Sequence, residues 1–198
     1  MKRGFILKLQ PSLYYSHTLI SDIVQPGDTV IDATAGNGHD TKYLSSIVGK
    51  NGKVYSFDIQ KEAINNTKKL LSENNIIDNV ELHNCGHENI HRIVKDKISC
   101  AIFNLGYLPG PTTNKTIITH SKTTLPAIND CIKLLKKDGI IILVLYYGHP
   151  GGQEEKNDVI NFAEKLNQKL FTVLKYQFIN QINEPPILIA IQKKKDKI

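Results

Sequence analysis

No part of this 198-residue sequence limits its fold more than Val30-Ile31-Asp32-Ala33-Thr34-Ala35-Gly36-Asn37-Gly38-His39-Asp40-Thr41. A short apolar run ends in an acid, passes through a loop with two glycines two apart, and enters a helical pattern. Glycines there let the backbone approach a ligand where a side chain would collide, and strand, loop and helix in that order build the binding crevices of open α/β sheets. The remaining residues have to supply a largely parallel sheet around it.

They are patterned to do so. Leu13, Ile20, Ile23 and Val24 predict a loosely amphipathic helix over 12–24, stopped by Pro26-Gly27-Asp28, that packs on the sheet edge or lids the site. Strands are predicted over 29–32, 54–59, 80–83, 98–103, 140–147, 172–179 and 187–192, with helices over 40–49, 61–75, 87–96, 121–137 and 154–170. The run 140–147 is apolar throughout, as expected of a central parallel strand covered on both faces. Residues 104–119 form a long loop rich in glycine and proline, of the kind that carries function. The connection 180–186 is too short for a parallel crossover, so the last two strands must pair antiparallel or lie apart. The expectation is an α/β, Rossmann-like fold: a seven-stranded, mostly parallel sheet with one antiparallel strand and helices on both faces. A single domain covers 1–198, with an N-terminal helical segment (1–27), a core (28–194) and a basic tail (195–198); a chain of this length buries enough apolar surface without disulfides.

The loop discriminates among nucleotide-like ligands. A phosphate-binding P-loop needs Lys-Ser/Thr after its last glycine, whereas Gly38 is followed by His39-Asp40, and Asp40 at a helix N-terminus would repel phosphate. A dinucleotide fingerprint needs a third glycine where Thr41 stands. S-adenosylmethionine has no phosphate and carries a sulfonium and an ammonium, which makes Asp32 an asset. Asp58, twenty residues beyond Gly38 at the end of the second strand, is placed to accept both ribose hydroxyls, with Ile59 and Gln60 beside it. Gly86 and His87, after the third strand, are candidates for backbone contact with the adenine. His83, Cys85, His87 and His91 do not read as a metal site, because Gly86 interrupts any helix linking His83 to the others and no Cys-x-x-Cys partner or nearby Asp completes a four-ligand set.

Asn104-Leu105-Gly106-Tyr107-Leu108-Pro109-Gly110 follows the fourth strand, where such sheets present an acceptor. The Asn104 side-chain oxygen and a nearby backbone carbonyl can accept two N–H bonds from an amine, and Tyr107 offers a stacking face. Candidate bases are Tyr107, Tyr147 and His149; candidate acceptor-binding residues are Leu105, Gly106, Tyr107, Lys115, Tyr146 and Tyr147, with Tyr14 and Tyr15 serving either the acceptor or helix packing.

The Asp-x-x-x-Gly-x-Gly pattern from Asp32 resembles methyltransferase motif I, with Thr34 where many members have glycine, and Asn104 to Tyr107 resembles the Asn-Pro-Pro-Tyr loop of amino-group methyltransferases, with Leu105-Gly106 in place of the prolines. Together with Gly148-His149-Pro150, Phe178-Ile179-Asn180-Gln181 and Pro185-Pro186, these segments resemble, over nearly the whole chain, the rRNA methylase family of class I S-adenosylmethionine-dependent methyltransferases, which includes MnmM-type tRNA methyltransferases. Pro111 to Asn114 and Tyr147 depart from the family pattern. The resemblance implies methyl transfer to the aminomethyl nitrogen of 5-aminomethyl-2-thiouridine at wobble position 34 of tRNA. The cofactor residues expected are Asp32, Thr34, Ala35, Gly36, Asn37, Gly38, His39, Asp40, Thr41, Asp58, Ile59, Gln60, Gly86, His87 and Asn104, and the catalytic ones Asn104, Tyr107 and His149. An rRNA base, a small amine, or non-catalytic binding of RNA or S-adenosylmethionine are the alternatives.

Composition agrees with an anionic partner: net charge is +6 and the pI about 9.1, although Lys193 to Lys197 contribute part of the excess. An anticodon stem-loop offers unstacked bases and phosphates for the tyrosines and lysines, and one small domain suggests a homodimer to hold it. Three widely spaced cysteines, no signal-like start and no apolar run long enough for a bilayer predict a cytoplasmic protein.

Overall fold

The structure is a computed structural model describing residues 9–76, 78–110 and 116–195. The described residues contain β1 (Thr29–Asp32), β2 (Lys53–Phe57), β3 (Val80–His83), β4 (Ile98–Leu105), β5 (Leu135–Leu145), β6 (Phe171–Tyr176) and β7 (Ile187–Lys193). The helices are α1 (Ser12–Ile23), α2 (His39–Val48), α3 (Lys61–Glu73), α4 (Ile90–Ile93), α5 (Ser121–Leu134) and α6 (Gly152–Glu164). The strands form one sheet in the order β3-β2-β1-β4-β5-β7-β6. All pairings are parallel except those of β7, which runs antiparallel to both β5 and β6; the short 180–186 connection accounts for the second of these.

Side chains alternate across the sheet into two apolar layers. Val30, Ile142, Val144 and Leu188 face one layer with Leu44 of α2 and Ile20 of α1; Ile31, Leu143, Leu145 and Ile189 face the other with Ile90, Ile128 and Val159. Burial on both faces is why β5 is apolar at consecutive positions rather than every second one. The strand order reverses between β1 and β4, and the crevice beyond their carboxyl ends is where ligands bind in such sheets.

Three elements differ from the sequence expectation. The helix expected over 87–96 is a 3-10 turn (His87–Asn89) and one short helical turn, ended where Val94 goes extended. The expected helix 121–137 stops at Leu134, because Leu135 already pairs with Ile98; Asp138, at φ 65°, lies in the irregularity before Ile140 pairs with Cys100. The segment 104–119 is only partly a loop: β4 runs on to Leu105, Tyr107 and Ile118 form an antiparallel bridge, and Thr119 N–H donates to the Gly106 carbonyl at 2.9 Å. Lys115, with Pro111 to Asn114 and most of the basic tail, lies outside the described residues.

Candidate active site

A cavity of about 700 Å³ opens at the carboxyl ends of β1, β2 and β4, walled by the glycine loop, both stems of the 104–119 segment and the start of α1. The glycine loop is held from below. Asp32 is fully buried; it accepts from Thr34 N–H at 3.1 Å and from the Thr41 hydroxyl at 2.6 Å, and that hydroxyl is 2.7 Å from Ser56 Oγ. Burial, and next the charge of Asp40, push the Asp32 carboxyl well above the usual carboxylate range. Asp32, Gly38 and Thr41 therefore lie under the cavity floor and not in it, a correction to their reading as contact residues. Gly38 is required by packing: it sits at φ +84°, and a Cβ there would be 2.8 Å from Thr67 Cα in α3.

Thr34, Ala35, Gly36, Asn37, His39 and Asp40 do line the cavity, as do Asp58, Ile59, Gln60, Gly86 and His87 on the adjoining wall. Asp58 accepts from Gly36 N–H (3.0 Å, Oδ2) and Gln60 N–H (2.9 Å, Oδ1), leaving acceptor capacity on both oxygens. Burial pushes its carboxyl upward. Ile59, 57% exposed, offers an apolar side chain to the cavity. His87 is buried and held neutral by that burial; Nδ1 lies 3.3 Å from the Ala33 carbonyl, which can only accept.

On the other wall, Asn104 is fixed at two of its atoms. Its backbone N–H donates to Thr34 Oγ1 at 2.7 Å and its side-chain Nδ2 donates to Asp40 Oδ2 at 2.5 Å. A carboxylate only accepts, so the Asn104 amide cannot turn over. Its Oδ1 is buried and has no hydrogen-bond partner among the described residues. The second Asp40 oxygen is 2.6 Å from His17 Nε2 on α1, and the His17 ring stacks on Tyr43 at 3.9 Å. Gly106, Tyr107 and Tyr146 line the cavity next to Asn104. Burial, and then the Asp40 charge, raise the Tyr146 phenol.

Three other expected residues are not there. Leu105 is buried in the core and Tyr147 joins the same apolar layer, with Lys156 Nζ 4.3 Å from its ring centroid. His149 stands behind Tyr107, edge-on at 5.7 Å, and does not line the cavity. Sequence reasoning missed His17, which lines the cavity together with Leu13. The signal was readable: Leu13, His17, Ile20 and Val24 share one helix face, so His17 is a polar residue on the buried stripe of α1. It also missed Glu155, 3% exposed, which accepts from Thr119 and Thr124 hydroxyls at 2.6 Å each and so ties the base of the 104–119 segment to α5 and α6.

The cavity's chemistry fits S-adenosylmethionine. Among its described lining residues there are three carboxylates, Asp40, Asp58 and Glu88, and no lysine or arginine, which suits a cationic ligand without phosphate. Asp58 has the free acceptor capacity that two vicinal hydroxyls need, and Gly36 and Gly86 bring bare backbone to the wall. When bound, this cofactor supplies an electrophilic methyl group on sulfur.

Known proteins resemble this chain over most of its length. Residues 54–192 match the family described as "Putative rRNA methylase". The chloroplastic tRNA (mnm(5)s(2)U34)-methyltransferase of Arabidopsis thaliana is 38% identical over 200 residues, covering 96% of this chain and 72% of that one. A crystal structure from Clostridium thermocellum with the same description as the family is 46% identical, covers 94% of this chain and 100% of its own, and superposes with a TM-score of 0.92. A Streptococcus mutans protein described as a methyltransferase, solved in complex with SAH, is 41% identical over 94% of this chain and 99% of its own, with a TM-score of 0.85. Fold, cavity and sequence agree, and the chain belongs to the rRNA methylase family of class I S-adenosylmethionine-dependent methyltransferases.

Proposed function

We propose that this enzyme methylates the aminomethyl nitrogen of 5-aminomethyl-2-thiouridine at wobble position 34 of tRNA, giving the 5-methylaminomethyl product. The observation that carries the reading is the Asn104 oxygen, buried in the cavity wall without a partner among the described residues while Asp40 holds the amide nitrogen. A buried, unpaired acceptor favours a ligand that brings an N–H donor, and an amine brings two. The printed name of the Arabidopsis relative supports the same acceptor class.

In this reading Thr34 to Gly36, Asp58, Gln60, Gly86 and His87 hold the cofactor, Asp32, Gly38 and Thr41 hold the loop beneath it, and Asn104 aims the amine lone pair at the methyl. Tyr107 and Tyr146 flank the base, and His149 steadies Tyr107. Lys115 contributes a cation to tRNA phosphates. Because displacement at a methyl group is in line, orientation supplies much of the rate. The anticodon stem-loop of a cytoplasmic tRNA is the substrate, and a homodimer presents enough surface to hold it; sedimentation of the tRNA complex as one protein chain per tRNA would remove the dimer. The decisive experiment is nucleoside mass spectrometry of tRNA from a strain lacking the protein. The aminomethyl nucleoside should accumulate, and an unchanged wobble profile defeats the proposal.

A further inference from the structure

We propose that His17, oriented by Asp40, is the base that takes a proton from the acceptor ammonium before the methyl group moves, an inference that rests on the amine reading above. An alkylamine carries a proton at neutral pH and then has no lone pair to attack with. Tyr147 and His149 do not reach the cavity, whereas His17 lines it.

The geometry joins two tasks in one carboxylate. Asp40 Oδ2 fixes the Asn104 amide at 2.5 Å, and Asp40 Oδ1 fixes His17 Nε2 at 2.6 Å. The residue that orients the nitrogen and the residue that would relieve it of a proton are thereby held in register. Since Asp40 only accepts, the neutral ring carries its hydrogen on Nε2 and its lone pair on Nδ1. No described residue hydrogen-bonds His17 Nδ1, and the side chain is 28% exposed. Base, carboxylate and a face-on aromatic support, Tyr43, together make an oriented imidazole of the kind used for proton transfer.

The step balances simply. The ammonium N–H bond breaks and its proton goes to Nδ1, giving an imidazolium beside the Asp40 carboxylate and a neutral amine hydrogen-bonded to Asn104. The amine lone pair then forms the N–C bond as the C–S bond breaks, its electrons passing to sulfur. The imidazolium loses its proton to water at the cavity mouth. The ionisable groups around the ring are Asp40 and Tyr43 of α2 and Tyr146 beyond β5, with Asp22 on α1 itself and His39 and Asp58 further along the wall.

His17→Gln separates this role from a structural one, because the glutamine amide can still donate to Asp40 but cannot take up a proton. With an anticodon stem-loop RNA bearing the aminomethyl group, we expect kcat/KM at pH 7 to fall by about 100-fold. The variant's rate should then rise about tenfold per pH unit toward that of the wild type in alkali, with SAH affinity unchanged within about threefold. A second measurement needs no variant: in the wild-type complex with SAH, the His17 Nδ1 nitrogen resonance should shift toward that of a hydrogen-bonded acceptor when the aminomethyl RNA is added and stay in place with unmodified RNA. Parallel pH profiles, an equal loss of SAH affinity, or an unmoved resonance overturns the inference. Wild-type protein that transfers no methyl to this RNA at any pH would instead defeat the amine reading, and this inference with it.

Discussion

Replacing Asn104 by alanine tests the acceptor geometry most directly. The change removes the unpartnered Oδ1 and the Nδ2 donor to Asp40, and leaves the backbone N–H bond to Thr34 in place. One acceptor bond to the amine is worth about 1–1.5 kcal/mol, and a misplaced nucleophile loses roughly another 100-fold, or about 2.7 kcal/mol. The sum, about 4 kcal/mol, corresponds to roughly a thousandfold loss in kcat/KM. Cofactor affinity should change much less, since Asp58, Gly36 and Gly86 stand on the other wall. Asp40, left without one charge-assisted bond, should lower stability by about 1.5–3 kcal/mol at most, since water can reach it from the cavity. Single-turnover methyl transfer to the aminomethyl stem-loop, with SAH affinity by calorimetry alongside, reads both quantities. A loss of less than tenfold with intact SAH binding, or equal losses in rate and affinity, would refute the reasoning.

Asp58→Ala removes the acceptor for two hydroxyls and should weaken SAH binding roughly 100-fold or more, since each charge-assisted bond is worth about 1.5–3 kcal/mol; unchanged calorimetric affinity would show that the ribose lies elsewhere. Gly38→Ala combines left-handed strain of about 1–2 kcal/mol with overpacking against Thr67 of about 1–3 kcal/mol, so urea denaturation should show a loss of about 2–5 kcal/mol, and a loss under 1 kcal/mol contradicts the packing argument. Asp32→Asn probes pH dependence. Burial and the Asp40 charge raise the Asp32 carboxyl from the ordinary range to about 7, so between about pH 4 and 7 the folded state holds a proton that the unfolded state has released. That contribution makes wild type lose stability as pH rises through this window, by at most about 1.4 kcal/mol per pH unit, and the asparagine variant lacks it. The stability difference between the two proteins should therefore grow toward pH 7 in the variant's favour; a constant difference over pH 4 to 8 would rule out a raised Asp32.

The sheet was readable because strand signals and connection lengths leave few topologies, and the 180–186 connection rules out a parallel β6–β7 pair. One wall of the cavity was readable for a similar reason: Asp58 and Gly86 follow strands whose place in the sheet comes from the order. The wall opposite was not, because its residues are chosen by alternation that the sequence hides. Tyr146 and Tyr147 end a strand apolar on both faces, so nothing in the sequence says which ring enters the cavity; in the structure Tyr147 continues the Leu143–Leu145 face and Tyr146 the opposite one. His17 depends on α1 being folded over the sheet, a contact between distant segments with no motif to announce it. Asp40 was read for its charge against phosphate, while its function as the shared anchor of His17 and Asn104 appears only once both are brought to it.

The position of β7 bears on how the protein comes to be active as it is made. β7 follows every other strand in the sequence yet lies inside the sheet, so β6 has no place to dock until β7 has been synthesised. α1 depends on the same event: Ser12 Oγ donates to the Pro186 carbonyl at 2.6 Å, Tyr176 Oη donates to the Gln10 carbonyl at 2.8 Å, and Tyr15 packs on Tyr176 at 4.6 Å. The helix that brings His17 to the cavity is thus clasped by segments translated after the other strands of the sheet. During synthesis the early strands can pair while β5 keeps an open, aggregation-prone edge. The site is complete only when that edge is covered, which ties the first competent binding event to the docking of β7 and not to the earlier folding of the glycine loop.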